Sequence, residues 1–299
     1  MKQRNSMVNF AQQIQLLKSK CLVERKKFVF SLGRRLSKLG CLYARTLTAR
    51  PVENFEELKK CFGLVYGAYL ERDYCSEHPS QMHFHAHALL PEATTFVLKR
   101  KNKLVGTISL VLDSPHGLPI DSLYPQETQS IRQENRVFAE VTLLSLNLDV
   151  HNKKKFNLTK LDTRYMAFRL FKIMYEFAHF KGVTDLLITV NPRHRNMYKY
   201  LNFKSIGPVK FYPGLSNAPA IPLWLDLVQL EKNAVEEIRE LFCTNPTPPQ
   251  LLEKRFDYSK EMIDELLAQP QSQIYNFTPH EKNFLAKYFP QLQPTLKRI

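Results

Sequence analysis

Thr184-Asp185-Leu186-Leu187-Ile188-Thr189-Val190, followed by Asn191-Pro192-Arg193-His194 and by Arg195 to Leu201, is the stretch that decides the fold. The first seven residues form a short apolar run rich in β-branched side chains, which predicts a buried strand. Pro192 ends it, because proline has a fixed φ and no N–H to offer a ladder. Arg195 to Leu201 has helical spacing, with Met197, Tyr198 and Leu201 expected on one side. Asn202-Phe203 closes that helix, and Gly207-Pro208 turns the chain. Ala220 to Leu227 reads as one more apolar strand and carries the only tryptophan, Trp224. The order is strand, turn, short helix, strand, loop, strand.

Upstream, Tyr43 to Ala49 reads as a first strand and Val52 to Leu70 as a helix with Phe55, Leu58, Phe62, Val65 and Tyr69 near one face. Thr94–Arg100 and Leu104–Leu112 form a hairpin across Lys101-Asn102-Lys103. Ser114 to Arg136 is an insertion with a short helix near Glu127 to Glu134, and Val137–Leu146 is a strand. Asn147 to Lys160 is a polar loop. A long helix then runs to Lys181, capped by Asp162 or Thr163 and stopped at Gly182. Beyond Leu230 short helices are broken by prolines, including Pro248-Pro249.

Four segments carry a resemblance. They are His87-Ala88-Leu89-Leu90-Pro91-Glu92-Ala93-Thr94-Thr95-Phe96-Val97, the run from Val105-Gly106-Thr107 through Asp113-Ser114-Pro115-His116-Gly117-Leu118-Pro119-Ile120-Asp121, Ala139-Glu140-Val141-Thr142, and Asn191-Pro192-Arg193-His194 with Tyr198 and Phe203. Their order and spacing resemble the long-chain N-acyl amino acid synthases, a branch of the N-acetyltransferase-like (GNAT) fold related to the acyl-homoserine-lactone autoinducer synthases. The resemblance covers roughly residues 43 to 230. It implies an α/β fold: a mixed, splayed GNAT-like β-sheet flanked by helices. Around that domain the chain divides into a basic amphipathic helical arm, 1–42, and a helical C-terminal extension, 231–299.

Composition sets the bounds. With 299 residues, 44% of them hydrophobic and nine glycines, the chain is long enough for a full core. No apolar run reaches membrane-spanning length, and the N-terminus lacks the apolar core and small-residue cleavage site of a secretory leader. Cys21, Cys41, Cys61, Cys75 and Cys243 are scattered and odd in number, with no C-x-x-C pair. Neither a disulfide framework nor a thiolate zinc site is indicated, and a reducing cytoplasm is the simplest expectation. The net charge of +15 is concentrated in residues 1–40, which hold ten Lys or Arg against Glu24. That arm reads as a helix packed on the domain with a solvated basic face, or as peripheral contact with the inner membrane surface. No nucleic-acid-binding motif accompanies it.

The resemblance also implies the chemistry. In this fold two strands splay, here Val137–Leu146 and Thr184–Val190, and the thioester arm of an acyl donor lies between them. Leu143, Leu144, Ser145 and Leu146 would offer backbone groups to that arm, one of them as an oxyanion donor, with Asn191 and His194 at its edge. Glu140, a carboxylate inside an apolar strand, is the expected general base or amine-orienting group, since burial raises its pKa; the plainer reading is an ion pair with Arg132 or Arg136. Tyr198 is the expected proton donor to the leaving thiolate, or simply core. Asp113 and Asp121, flanking Gly117, are candidates to hold the acceptor ammonium, or turn caps. His87 is a candidate to line the acceptor site. His83, His85 and His87 form H-x-H-x-H, for which no fitting fourth metal ligand is evident, and no metal is expected.

Acetyl-CoA enzymes of this fold carry a Gly-rich pyrophosphate turn after the splayed strand. The matching segment here, Asn147 to Phe156, contains no glycine. The expected donor is therefore the phosphopantetheine of an acyl carrier protein, with no bound cofactor. Lys153, Lys154, Lys155 and Arg164 would dock that acidic carrier. Phe138, Phe168, Phe171 and Tyr175 are expected to wall the acyl tunnel or to be core. Two alternatives stand beside this one: a CoA-dependent small-acyl transferase, and a non-catalytic acyl-carrier or membrane-binding module of the same fold.

Overall fold

In a computed structural model the described residues are 47–132, 135–147, 160–233, 239, 246–254, 257–267 and 277–297. Eight strands form one mixed sheet: β1 Leu47–Pro51, β2 Ala93–Arg100, β3 Lys103–Leu112, β4 Phe138–Leu146, β5 Asp185–Val190, β6 Lys204–Ser205, β7 Lys210–Tyr212 and β8 Ala218–Asp226. The order is β1-β2-β3-β4-β5-β8-β6, with β7 also on β8. All pairs are antiparallel except β4 with β5. The β2–β3 turn places both Lys101 and Asn102 at positive φ, 45° and 64°, as a two-residue hairpin turn requires.

Among the described residues eight α-helices accompany the sheet: α1 Phe55–Leu70, α2 Pro125–Ile131, α3 Lys160–Phe180, α4 Arg195–Tyr200, α5 Leu227–Asn233, α6 Lys260–Leu267, α7 Pro279–Tyr288 and α8 Gln293–Leu296. Boundaries differ from the sequence expectations for local reasons. The first strand ends at Pro51, and α1 begins only after Asn54, whose side chain accepts the Glu57 N–H at 2.9 Å. Helix α3 begins at Lys160, so Asp162 and Thr163 lie inside its first turn and are not caps. Its end is as expected: Gly182 (φ 70°) donates to the His179 carbonyl and Val183 to that of Ala178. Helix α2 starts two residues earlier than expected, with Pro125 in its first turn. Val137 precedes β4 and is exposed.

The register sorts the sheet into two faces. Phe138, Glu140 and Thr142 share one face, and Ala139 and Val141 the other. Helix α3 covers the second, with Phe177 edge-on to Phe96 at 5.2 Å. The four aromatic residues expected to wall one tunnel are therefore split: Phe138 belongs to the Glu140 face and packs near Leu187 and Trp224, whereas Phe168, Phe171 and Tyr175 sit on α3. The Glu140 face is covered by α1, by the segment from Leu118 to Ile131 and by the C-terminal helices.

The C-terminal residues are not a separate body. Ile263, Leu266, Leu267, Phe284, Leu285, Phe289 and Leu292 share one buried cluster with Leu58, Phe62 and Val65 of α1 and with Phe84 to Leu90. Polar ties reinforce it: Tyr258 Oη donates to the Ala88 carbonyl (2.6 Å), Tyr288 Oη to Glu92 (2.6 Å), and Lys59 pairs with Glu265 (2.6 Å). Leu285, fully buried, anchors α7. Leu285→Ala is expected to cost about 3 kcal/mol by removing buried surface and leaving a cavity. Urea unfolding of the full chain measures this, and a loss below about 1 kcal/mol would show that the C-terminal segment is not integral to the core.

Candidate active site

The centre of the sheet opens where the sequence places it. The parallel ladder between β4 and β5 runs only from Phe138↔Asp185 to Val141↔Ile188, although β4 continues to Leu146 and β5 to Val190. The reason lies in β4 itself. Thr107 pairs with Ser145 but Ser109 with Thr142, so Leu143 and Leu144 together oppose Ile108. This is a β-bulge. Leu143 takes a left-handed φ of 50°, rare for a leucine, and is held there by burial in the α1 cluster. Ser145 is buried and its Oγ donates to the Leu64 carbonyl of α1 at 3.2 Å. The bend turns residues 144–146 away from β5.

Glu140 lies just before that opening and is 3% exposed. Its Oε2 accepts the Ile120 N–H at 2.6 Å. Burial pushes its pKa well above the ordinary carboxylate value, and the nearby Asp121 charge adds to that; the Ile120 N–H and the Arg132 charge oppose it. The expected alternative, an ion pair with Arg132 or Arg136, is not what forms. Arg132 clamps Asp113 (Nε–Oδ2 2.9 Å) and Asp121 (Nη2–Oδ2 2.7 Å). Arg136 pairs with Asp185 (2.5 Å) and Asp226 (3.0 Å).

Asp113 and Asp121 thus meet on one guanidinium and fix the loop that presents the Ile120 N–H. Asp121 also accepts the Leu118 N–H (2.8 Å) and the Thr128 hydroxyl (2.6 Å). Burial works to raise its pKa, but Arg132 and these donors hold it below its ordinary value. Both carboxylates are engaged by Arg132 in shaping the loop.

Tyr198 is 3% exposed, edge-on to Phe171 (5.9 Å) and Phe203 (5.5 Å). Burial raises its phenol pKa, so it stays protonated at neutral pH. Met197 faces outward, contrary to the expected stripe, because α4 buries one side only. Asn191 caps the following turn by accepting the Arg193 N–H (3.1 Å) and donates to Tyr74 Oη (3.0 Å). His194 is exposed; Arg193 Nε donates to its Nε2 at 3.1 Å. Its ring is nonetheless partly desolvated by neighbouring groups, which lowers its pKa, and the charges of Arg193 and Arg72 add to that. Lys153, Lys154 and Lys155 fall outside the described residues; Arg164 belongs to the first turns of α3.

Residues to which the sequence assigned no catalytic or binding role complete the surroundings. His85 Nε2 lies 3.1 Å from Thr142 Oγ1 on β4. His83 stacks on Tyr69 at 4.5 Å, and Tyr69 meets Tyr74 edge-on at 5.7 Å. Burial lowers the His83 pKa to about 4 and that of His85 well below 6.5, so both rings are neutral. Tyr212 on β7, from the far side of the splay, is close enough to Glu140 for that charge to raise its pKa, after burial. Only the H-x-H-x-H pattern hinted at this histidine wall. His83 and His85 lie on an extended loop and His87 on the 3-10 turn Ala86–Leu89, so the strand spacing a metal site needs does not arise. Among the described residues no group of three or more His, Cys, Asp or Glu is placed to hold a metal ion. No described helix is long and apolar enough to cross a membrane.

The sheet thus holds a splayed parallel pair beside a bulged strand, with a buried carboxylate at its mouth. The family model for the N-acyl amino acid synthase FeeM matches residues 60–226. The chain belongs to the FeeM family of N-acyl amino acid synthases. It is an N-acyltransferase of the GNAT type. The solved structure of FeeM, an N-acyl amino acid synthase from uncultured soil microbes, is 27% identical, with a TM-score of 0.54, and covers 62% of this chain and 94% of its own. The acyl-homoserine-lactone synthase LasI is 13% identical (TM-score 0.47; 66% of this chain, 93% of its own). The CoA-dependent acyl-homoserine lactone synthase MesI is 15% identical (TM-score 0.46; 67% and 97%). No curated protein sequence matches this chain. Within the FeeM-family match lie the bulge, Glu140, the histidine loop, Tyr198 and Tyr212; helices α6 to α8 lie beyond it.

Proposed function

We propose that the protein moves a long-chain acyl group from the phosphopantetheine thioester of an acyl carrier protein to the α-amine of an amino acid. The observation that carries this reading is the buried Glu140 at the mouth of the β4–β5 splay, free of any ion pair with Arg132 or Arg136.

The thioester arm lies along residues 143–146, where β4 has left β5, and a backbone N–H there polarises the thioester carbonyl. Glu140, its basicity raised by burial, takes the proton from the acceptor ammonium or orients the amine. The amine nitrogen attacks the carbonyl carbon, the C–S bond breaks, and the amide and free thiol result. Tyr198, whose phenol keeps its proton in the resting protein, donates it to the departing sulfur and is restored by the second proton lost from the nitrogen. Asn191 and His194 border the arm. Asp113 and Asp121 act through Arg132 by holding the Ile120 N–H on Glu140. No metal or redox group takes part in this scheme.

Two sequence features favour the carrier over CoA: Asn147 to Phe156 contains no glycine to wrap a pyrophosphate, and it carries Lys153-Lys154-Lys155, which suits an acidic carrier. Purified full-length protein, given a long-chain acyl carrier protein or the matching acyl-CoA together with all twenty amino acids, is expected to form N-acyl amino acids from the carrier thioester at a kcat/KM at least about tenfold higher than from CoA. Mass spectrometry reads the product and names the acceptor. A preference for acyl-CoA would overturn the donor assignment.

A further inference from the structure

The C-terminal helix α7 reaches the same histidine wall that borders the splay. A row of rings runs from β4 outward. His85 touches Thr142 (3.1 Å), the His85 and His87 centroids are 6.1 Å apart, and His87 lies against Phe284 of α7 at 4.8 Å. Phe284 then meets His116 at 5.2 Å and the exposed His280 at 5.6 Å. His280 Nε2 lies 3.4 Å from the His116 carbonyl, which closes α7 over the loop that carries Ile120.

His87 is the unusual member. It is 6% exposed, and neither ring nitrogen meets a hydrogen-bond partner among the described residues. The His116 carbonyl and the Glu281 and Asp121 charges lie near enough to act on it, but without a hydrogen bond of normal geometry. Leaving a buried polar group without a hydrogen-bond partner carries the full desolvation penalty of that group. Nothing in the packing compels a histidine here, since a phenylalanine would keep the stack on Phe284. Neither acid near it is free to pair with it fully: Asp121 is clamped by Arg132, and Glu281 caps α7 by accepting the Thr278 N–H (2.8 Å) and hydroxyl (2.9 Å).

We infer that His87, backed by Phe284 of the C-terminal extension, receives the carboxylate of the acceptor amino acid and so selects amino acids over simple amines. The inference rests on the proposed amino-acid acceptor and adds the element that recognises it. An imidazole N–H donates to a carboxylate, and a carboxylate beside the ring offsets the burial that otherwise disfavours its charge. The geometry of an α-amino acid supports the location. Amine nitrogen and carboxylate carbon are roughly 2.5 Å apart by standard bond lengths, so the carboxylate pocket must adjoin the reaction centre, as the His85–His87 row adjoins Thr142. Helix α7, which supplies Phe284, lies outside the residues that match the FeeM family, whereas His87 lies within them.

The test uses the full chain and His87→Phe, which preserves ring stacking and fold, with His87→Gln as the variant that keeps an N–H donor. Tyrosine, phenylalanine and leucine are compared with tyramine, phenethylamine and isoamylamine, which lack the carboxylate. The expected result in turnover is a KM for the amino acids raised about tenfold in His87→Phe with kcat within about twofold, no change for the amines, and partial recovery in His87→Gln. In thermal melts, at least one of the three amino acids raises the Tm of the wild type more than its amine does, and His87→Phe abolishes that difference. Equal effects on amino acids and amines, in either measurement, overturn the inference. The two readings fail separately. Normal amide synthesis with an indifferent His87→Phe removes the pocket and leaves the reaction; a His87-dependent carboxylate effect on Tm without amide synthesis removes the reaction and leaves the pocket.

Discussion

Glu140→Gln is expected to lower turnover by about 10²–10⁴-fold, the usual contribution of a positioned general base, while leaving the fold intact. The amide can still accept the Ile120 N–H that Glu140 Oε2 accepts at 2.6 Å. The pH dependence follows from the raised pKa. As a base Glu140 must be ionised, so the rate rises with pH through a value above the ordinary carboxylate range. Stability runs the other way. An acid whose folded pKa is raised holds its proton longer in the folded state, so stability falls as pH climbs from the unfolded pKa to the folded one. Below about pH 4, where the unfolded side chain is also protonated, that penalty is absent. Glu140→Gln should therefore melt at or above the wild-type temperature at pH 8, with the gap closing toward pH 3.5. Single-turnover acyl transfer and paired melts at the two pH values measure both. Full turnover in the variant would remove the base assignment, and a large drop in Tm at pH 8 would make Glu140 structural.

The second large effect is on stability. Arg136→Met is expected to cost about 3 kcal/mol, because it strips the counter-charge from a buried carboxylate. Asp185 is 1% exposed and sits at the start of β5, where the parallel ladder with β4 begins. Arg136 reaches it at 2.5 Å and also holds Asp226 at 3.0 Å. Without the guanidinium, Asp185 keeps only the Trp224 Nε1–H (2.8 Å) and the Thr184 hydroxyl (2.6 Å). The double variant Arg136→Met/Asp185→Asn should recover part of the loss, since the uncompensated charge is gone. Urea titration of the four proteins gives the coupling. If Arg136→Met costs under about 1 kcal/mol, solvent at the partly exposed arginine has already screened the pair.

Much of this was legible in the residues. The β-branched run before Pro192 specifies a buried strand, the spacing of Leu58, Phe62 and Val65 specifies a helix face, and Lys101-Asn102 a tight turn; these depend on neighbours in sequence. Glu140 stood out because a carboxylate within Phe138-Ala139-Val141 has few explanations. The site's polar partners were harder. Arg132 and Arg136 both looked able to pair with Glu140. Which carboxylates they meet depends on where residues 113–121 and strand β5 come to lie, 11 to 49 positions away.

The sequence alone determined the order of the main strands and helices, though not the short β7, together with the absence of a glycine turn after β4 and the buried acid on it, because periodicity and residue chemistry are local properties. Only the tertiary structure decided the bulge at Leu143, the double clamp on Arg132, the split of the expected tunnel aromatics between two faces, and the closure of α7 over His87. Each of those depends on which segments meet across the sheet, and burial against a distant element, not local propensity, supplies the free energy that holds them.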